Sequence, residues 1–246
     1  MRTQAVFESW DCTRPVLPPR SRLYSLEPVG IGTPFVESLS GYIARLADAH
    51  AVSVGNLVGR ELSALASSAL VCPSREQLAS DSHGFCARSY AINGLGEPSK
   101  RWVDAVEAGT MRADLRFLTL LPFENAFWPH ALFRYCRVWC PACYEDSRVR
   151  GRVVHEPLLW ALKLVTFCPQ HRQPLEQVCP HCFQPQKPLS VFLRPGYCSK
   201  CHKWLGHSRA DVLRPVCGSS DSDVALWSPS RLANSLALRH ASIPSR

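Results

Sequence analysis

The sequence predicts a mainly α-helical chain with a small amount of β-structure, in which a helical N-terminal domain is followed by a compact cysteine-rich domain. Three observations predict this class. Apolar residues recur at helical spacing after residue 33, four short cysteine or histidine pairs lie between Cys140 and Cys201, and 46% hydrophobic with 20% charged residues is ordinary for a globular protein. The 246 residues suffice for one large domain or two small ones.

Residues 1–32 predict an extended N-terminal tail, because "RPVLPPRSR" and "EPVGIGTP" are interrupted by proline and glycine. Such a segment can dock on a partner, with Trp10 and Tyr24 as its candidate aromatic anchors, and a disordered leader is the alternative that remains open. The segment lacks the apolar stretch of a secretory signal, and no run of about 18 apolar residues follows. An intracellular chain without a membrane span is therefore expected.

Residues 33–135 predict a helical domain with helix-turn-helix character. Thr33 followed by Pro34 is typical of a helix start. One apolar stripe at helical spacing follows: Leu39, Tyr42, Ile43 and Leu46. A second helix is predicted with Ser53 as its N-cap, and a third over "RELSALASSALV". A break near residues 50–52 favours a helix-turn-helix, and a plain small helical bundle is the alternative that remains open.

Two more elements complete this domain, and a linker follows the cysteine-rich segment. "SKRWVDAVEAG" predicts a helix that stops near Gly109, and leucines at every third position from Leu115 predict an apolar element that Pro122 ends. Residues 218–246 begin with the linker composition "GSSDSD" and continue into a predicted final helix, "SPSRLANSLALRHA".

Residues 136–217 predict a tandem zinc-finger, or zinc-ribbon, domain. A C-x-x-C turn places two thiolates within reach of one ion, and tetrahedral Zn²⁺ needs two such turns. Four turns provide eight candidate ligands: Cys140, Cys143, Cys168, His171, Cys179, Cys182, Cys198 and Cys201. In an intracellular chain this pattern indicates metal rather than disulfides. Two structural Zn²⁺ ions are expected.

The pairing of the four turns has two solutions. In the sequential solution, the first two turns hold one ion and the last two hold the other. In the interleaved solution, the first turn shares its ion with the third, and the second with the fourth. The sequential solution is favoured because "LLWALKLVTF" can form a helix that closes the first loop. Either way, four protein ligands per ion leave no position for water, which argues against an enzyme.

Positive charge is concentrated in the same segment. The stretch 130–217 contains 13 lysines and arginines but 5 acidic residues, which accounts for the whole net charge of +8. Two Zn²⁺ ions with seven thiolates lower this excess to nearer +5. The candidate phosphate contacts are Arg148, Arg150, Arg152 and Lys163. The three arginines alternate, so an extended backbone would place them on one face, although simple solubility explains them equally well.

Three stretches together resemble the TniQ/TnsD family of transposon target-selection proteins. The first is "ESLSGYIARLADAH" at 37–50, and the second is "LTLLPFENAF", in which Phe123 replaces the usual tryptophan of the family. The third is the block "RVWCPACYED…LLWALKLVTFCPQHRQPLEQVCPHC". The resemblance covers about residues 33–205. It implies a helix-turn-helix-like domain followed by tandem zinc fingers, in a non-enzymatic adaptor of the bacterial cytoplasm.

The resemblance also implies partners. Family members connect target recognition to an AAA+ ATPase of the TnsC type. Small members bind a CRISPR effector complex with its guide RNA, whereas larger members read attachment-site DNA through further C-terminal modules. The short segment after the cysteines favours the small type or a truncated member of the larger, TnsD-like type. Direct contact with a DNA or RNA backbone and a homodimer are further expectations. A stand-alone sequence-specific DNA-binding regulator is the alternative, and a metal-dependent nuclease is a third class that closed metal sites disfavour.

Overall fold

The computed structural model describes residues 20–65, 89–124 and 133–207, and this part of the chain is mainly helical, as predicted. The helical elements are α1 Leu39–Ala49, α2 Val54–Asn56, a π-helical segment Leu57–Leu62, α3 Ser63–Leu65, α4 Glu97–Thr110, 3₁₀ turns Leu115–Leu118 and Leu121–Phe123, α5 Pro141–Val149, and a 3₁₀ turn Leu158–Ala161. Its β-structure consists of isolated antiparallel bridges. Within the described ranges, no helix combines the length and apolarity that crossing a bilayer requires.

Helix α1 begins five residues later than the Thr33–Pro34 pattern predicts, at Leu39 instead of Pro34. The Ser38 hydroxyl caps it by accepting a hydrogen bond from the Gly41 N–H at 3.2 Å. Thr33 instead closes a turn, where its hydroxyl accepts from the Phe35 N–H at 3.2 Å. The prediction of the start was wrong because residues 33–35 form a turn and residues 36–38 are extended and bind another part of the chain.

That extended connection joins the N-terminal half to the cysteine-rich half. Glu37 forms an antiparallel bridge with Pro157. The Ser38 N–H donates to the Glu156 carbonyl at 2.8 Å, and the Leu158 N–H donates to the Val36 carbonyl at 2.7 Å. Because these backbone groups are already paired in an extended bridge, α1 starts only after them.

Helix α1 lies at the centre of the larger hydrophobic core. Most of its side chains are buried: Leu39, Ser40, Gly41, Tyr42, Ile43, Ala44, Leu46 and Ala47. Apolar residues from within the predicted zinc-finger segment are buried in the same core: Leu158, Leu159, Leu162, Val165, Leu189, Val191 and Leu193. Residues on both sides of the predicted limit between residues 135 and 136 therefore contribute to this larger core.

A buried ion pair attaches residues 20–32, the described part of the predicted tail, to α1. Arg45 binds the fully buried Glu37 carboxylate through two contacts, at 2.8 and 2.9 Å. The same guanidinium donates to the Glu27 carbonyl at 2.8 Å, and the Val29 N–H donates to Glu37 Oε2 at 3.3 Å. This stretch is therefore docked rather than free.

The same segment also contacts α4. The Leu23 N–H donates to the Gly109 carbonyl at 2.8 Å, and a Cβ atom at Gly109 would lie 2.8 Å from Leu23 Cδ1. Gly109 thus permits a close approach, and α4 continues one residue beyond it. Burial raises the pKa of Tyr42 to about 12, so this hydroxyl keeps its proton and donates to the Leu26 carbonyl at 2.9 Å.

The second helix begins where its cap predicts. Ser53 accepts from the Asn56 N–H at 3.1 Å, and α2 starts at Val54. The π-helical segment and α3 follow without a break to Leu65, so the separation predicted between the second and third helices does not occur within the described residues. Both the remainder of the third pattern and the final helix predicted after residue 218 lie outside them.

The stretch "LLWALKLVTF" does not form the predicted helix. It contains one 3₁₀ turn, after which Leu162 is extended and bridges to Phe133. The Arg134 guanidinium donates to the carbonyls of Leu162, Lys163 and Val165, at distances from 2.7 to 3.2 Å. These carbonyls would be helix acceptors, and a single arginine binds them instead.

A second buried ion pair lies at the junction of the two halves. Arg137 Nη2 lies 2.5 Å from Glu156 Oε1, and their side chains are 1% and 8% exposed. Arg137 also donates to the Tyr144 hydroxyl at 3.0 Å and to the Tyr197 carbonyl at 2.9 Å. Burial alone would lower the pKa of Arg137, but the Glu156 charge outweighs it and the pKa is raised. The pair is therefore charged and fully enclosed.

Substitution of Arg137 by methionine should lower the free energy of unfolding by about 3–5 kcal/mol, because it leaves the Glu156 carboxylate buried without a charged partner. The double substitution Arg137→Met/Glu156→Leu should recover most of that loss. Urea unfolding of the metal-loaded protein measures both. Arg101→Met breaks an exposed pair with Glu97 and should cost less than about 1 kcal/mol. Equal losses in the two single variants would contradict the assigned role.

Candidate metal centres

Three of the four predicted turns fold into the same backbone hairpin. In the turns that begin at Cys168, Cys179 and Cys198, the N–H of that cysteine donates to the carbonyl five residues later. The N–H four residues later donates back to the cysteine carbonyl, and all six distances lie between 2.8 and 3.1 Å. The flanking residues form antiparallel bridges: Phe167–Pro174, Val178–Pro185 and Tyr197–Trp204.

Each hairpin contains a residue in the left-handed region. Arg172, Phe183 and His202 occupy the same position and have φ values of 50°, 57° and 57°. For residues with a Cβ this conformation costs about 1–2 kcal/mol. The turn in return directs backbone N–H groups toward sulfur, as from His181 to Cys179 Sγ at 3.4 Å. Such donors favour the thiolate, which is the form that binds metal.

The first turn is built differently, on the N-terminus of a helix. Cys140 is the residue before α5, Pro141 occupies its first turn, and Cys143 follows within that turn. Trp139, which is fully buried, exchanges two backbone hydrogen bonds with Glu176 at 2.9 and 2.8 Å. This bridge brings the helix start beside the hairpin that begins at Cys168.

The first cluster consists of four side chains from these two turns: Cys140, Cys143, Cys168 and His171. His171 Nδ1 lies 3.5 Å from Cys140 Sγ and 3.2 Å from Cys143 Sγ. Cys143 Sγ lies 3.5 Å from Cys168 Sγ. The ring nitrogen that faces the sulfurs is therefore Nδ1.

The second cluster consists of the cysteines of the last two turns: Cys179, Cys182, Cys198 and Cys201. Cys179 Sγ lies 3.7 Å from Cys201 Sγ, and Cys182 Sγ lies 3.7 Å from Cys198 Sγ. The structure thus groups the turns sequentially, as the favoured solution has it, and not in the interleaved order.

The spacing of the donor atoms fits a tetrahedral metal ion. With metal–sulfur distances of about 2.3 Å, the edge of a sulfur tetrahedron is about 3.8 Å. The observed sulfur–sulfur distances of 3.5–3.7 Å are close to that edge. They are far longer than the roughly 2.05 Å of a disulfide bond, and all eight described cysteines are free. Each cluster can hold one ion with four protein ligands.

Backbone donors act on the thiol of Cys198 in the second cluster. Burial raises its pKa, but the N–H groups of Cys201 and Lys200, at 3.5 and 3.3 Å from the sulfur, outweigh burial and lower the pKa to about 7. A thiolate is thus accessible near neutral pH, before any ion adds its own charge.

A carboxylate orients the histidine ligand of the first cluster. His171 Nε2 lies 3.1 Å from Asp146 Oδ2, and Arg150 Nη2 lies 3.6 Å from the same oxygen. A proton on Nε2 that is donated to Asp146 leaves the Nδ1 lone pair for a metal. On the sulfur side, Gln173 Nε2 donates to Cys140 Sγ at 3.1 Å.

Sequence reasoning missed these supporting residues. Asp146 follows Cys143 by three positions, so on a helix the two side chains share a face, which was the available signal. The alternating arginines at 148, 150 and 152 instead favour an extended backbone for the residues that follow Asp146. Gln173 offered no comparable signal, since its contact with Cys140 spans two separate turns.

The predicted arginine row does not exist as an extended face. Helix α5 runs through this stretch, with Arg148 in its last turn and Arg150 as its C-cap. Arg148 pairs with Glu145, and Arg150 pairs with Asp146. The expectation of one shared face was wrong because a helix, not a strand, connects these residues. Arg152 is exposed in the turn that follows.

The remaining predicted contacts lie apart from both clusters. Lys163 Nζ lies 5.0 Å from the centre of the Tyr135 ring. Tyr24 is 56% exposed and stacks on His50, with ring centres 4.1 Å apart. Trp10 lies outside the described residues.

A protein-family model described as TniQ matches residues 28–175. The matched span begins in the docked N-terminal segment and ends just after the first cluster, so that the second cluster lies beyond it. No curated protein matches the chain.

Cys179→Ser should reduce bound metal from two ions per chain to one, because it removes one ligand from the second cluster only. Elemental analysis of the purified protein measures this ratio. Cys136→Ser, which changes a cysteine outside both clusters, should leave two ions. Unchanged metal content in Cys179→Ser would contradict the grouping.

Asp146→Asn should weaken metal binding at the first cluster by about 10–100-fold, because an amide no longer favours the required tautomer of His171. Competition with a chromogenic chelator measures the affinity. Asp104→Asn, the same change on the exposed face of α4, is the matched control and should have no effect. If both variants release metal alike, Asp146 does not position the histidine.

Proposed function

Because the chain belongs to the TniQ family, which is associated with transposition, we propose that it is a non-enzymatic adaptor in target selection for DNA transposition. It connects a target-recognition complex, with an RNA-guided CRISPR effector or attachment-site DNA, to an AAA+ regulator of the TnsC type. The family match over residues 28–175 carries the proposal.

The metal chemistry supports a scaffolding role. Three thiolates with one imidazole, and four thiolates, are ligand sets that suit tetrahedral Zn²⁺. We assign one structural zinc ion to each cluster. Four protein ligands leave no open position at which a metal-bound water could attack a substrate. The ions instead stabilise a segment whose described β-structure consists only of isolated bridges.

The docked N-terminal segment offers a surface for the ATPase. Tyr24 is more than half exposed, and its ring stacks on the His50 ring. The backbone N–H of Tyr24 also donates to His50 Nε2 at 3.0 Å, which holds the two residues together. An aromatic side chain that is both exposed and already ordered loses little entropy on binding, which suits an anchor in an interface.

The helix-turn-helix interpretation belongs to the same proposal. Helix α1 is nearly all buried, so it supports the following helix and does not itself contact nucleic acid. The following helical run, 54–65, leaves Asn56, Arg60 and Ala64 exposed at intervals of four residues. This narrow exposed stripe, with Asn56 and Arg60 as its polar members, is the face that would lie against nucleic acid or a partner protein.

The experiment is a binding assay between the purified chain and an AAA+ ATPase of the TnsC type. The adaptor should bind the ATPase in the presence of nucleotide, and Tyr24→Ala should weaken that binding at least about tenfold, as expected for loss of an aromatic anchor. Tyr135→Ala removes a tyrosine that is 67% exposed elsewhere and should leave it unchanged. Biolayer interferometry supplies the dissociation constants.

The alternative function gives a different result. A stand-alone regulator would bind one duplex sequence with a dissociation constant of about 10⁻⁸ M or lower at physiological salt, and would not bind the ATPase. That outcome would overturn the adaptor. Binding to the ATPase that survives Tyr24→Ala would retain the adaptor but move its contact to another surface.

A further inference from the structure

A cleft of about 400 Å³ lies between the helical core and the second metal cluster. Helix α1 forms one wall with Arg45 and Asp48, and the end of α5 contributes Arg148. The hairpin of Cys198 and the residues before it form the opposite wall, with Arg194, Tyr197 and Trp204. Three arginines and two aromatic rings therefore surround one volume, and they come from three segments of the chain that are far apart in sequence.

The aromatic wall is rigidly held. A Cβ atom at Gly196 would lie 2.2 Å from Trp204 Cζ3, and one at Gly206 would lie 2.6 Å from Trp204 Nε1. Only glycines allow this ring to occupy its place. Trp204 Nε1 donates to Glu145 Oε2 at 3.0 Å, and the Tyr197 ring lies edge-on to Trp204 with centres 5.1 Å apart.

The cations of the cleft lie over these rings. The Arg194 guanidinium is 4.9 Å from the centre of the Tyr197 ring, and Arg148 is 5.9 Å from that of Trp204. Both arginine side chains are 58% exposed. Each has one carboxylate partner, Asp48 or Glu145. Exposed pairs of this kind are weak, and a guanidinium with five donors can bind a phosphate besides its carboxylate.

We propose that this cleft binds an unpaired nucleotide segment of single-stranded RNA or DNA. Bases in single strands stack on aromatic rings and on guanidinium planes, and the contact between Arg194 and Tyr197 presents both kinds of group. Arg148 and Arg194 supply the contacts for the adjoining phosphates. The proposal rests on the proposed function and deepens it, since it names the site and the form of its nucleic acid.

The position of the Tyr197 and Trp204 rings inside a cleft favours single-stranded over double-stranded nucleic acid. The stacking groups line a cleft rather than a convex surface, so a base must leave its own stack to reach them. A duplex keeps its bases stacked and offers the cleft only phosphates. An acidic peptide would pair with the arginines but would offer no planar base to stack on Tyr197 or on the Arg194 guanidinium.

The test uses the full chain and fluorescent oligonucleotides of about 10 nucleotides. Fluorescence anisotropy should show single strands bound more tightly than a duplex of the same length, and more tightly than an abasic strand with the same phosphates. Arg148→Gln/Arg194→Gln should weaken single-strand binding at least about tenfold, as should Tyr197→Leu, because each removes part of the stacking surface. Parallel RNA and DNA strands identify which of the two is preferred.

Matched controls separate the cleft from general charge and from folding. Arg22→Gln/Arg101→Gln removes two exposed, ion-paired arginines outside the cleft, and Tyr135→Leu removes an exposed tyrosine outside it. These variants should bind single strands within about twofold of the unmodified chain. The arginine variant changes only surface charge outside the cleft, and Tyr135→Leu removes only an aromatic ring outside it.

Three results would overturn the proposal. They are equal losses in the cleft and control variants, equal binding of abasic and normal strands, and competition by polyglutamate as effective as by the oligonucleotide. Each of these would leave the measured binding to the ATPase untouched, so failure of the cleft is distinguishable from failure of the adaptor function.

Discussion

The buried contact between Arg137 and Glu156 is the interaction on which the remaining structure depends. Its side chains join the cysteine-rich half to itself through Tyr144, while the Glu156 backbone accepts from Ser38 at the start of α1. A buried charge pair is a poor source of net stability but a strict geometric requirement, because either charge alone is costly. The pair thereby fixes Glu156 within the metal-binding half, and the backbone of Glu156 connects this half to the start of α1.

The helical half and the cysteine-rich half are stabilised in different ways. The helical half has a conventional core around α1, which is completed by leucines and valines that follow the first metal-binding turn. The other half has a smaller core in which the buried cysteines are themselves members. A core of that size is marginal without further support, and two four-ligand ions can supply it, since metal-binding energy is then folding energy. The repeated hairpins and their left-handed residues are tolerated for the same reason.

A metal ion held by four protein ligands has no open coordination position, so the surfaces around the two clusters are where partners can bind. The membership of the TniQ family places the chain among transposition proteins, and the surfaces that surround its metal sites are rich in arginine and aromatic residues. Arg148 and Arg150, two of the predicted phosphate contacts, bind carboxylates, and so do Arg45, Arg137 and Arg194. What distinguishes the cleft is therefore not its number of cations but their proximity to aromatic rings, at 4.9 Å from the centre of the Tyr197 ring and 5.9 Å from that of Trp204.

The sequence by itself determined the helical class, the Ser53 cap and the eight metal-binding candidates, because each depends on residues that are close together along the chain. A C-x-x-C turn brings its two donors together wherever it lies. Only the tertiary structure decided which turns share a cluster, why "LLWALKLVTF" does not become a helix, and that Asp146 faces His171. These outcomes depend on partners from distant segments, such as Arg134, whose side chain takes carbonyls that a helix would have used. Local spacing records which groups are available, whereas the competition among distant groups for the same hydrogen bonds and charges is resolved only in the folded chain.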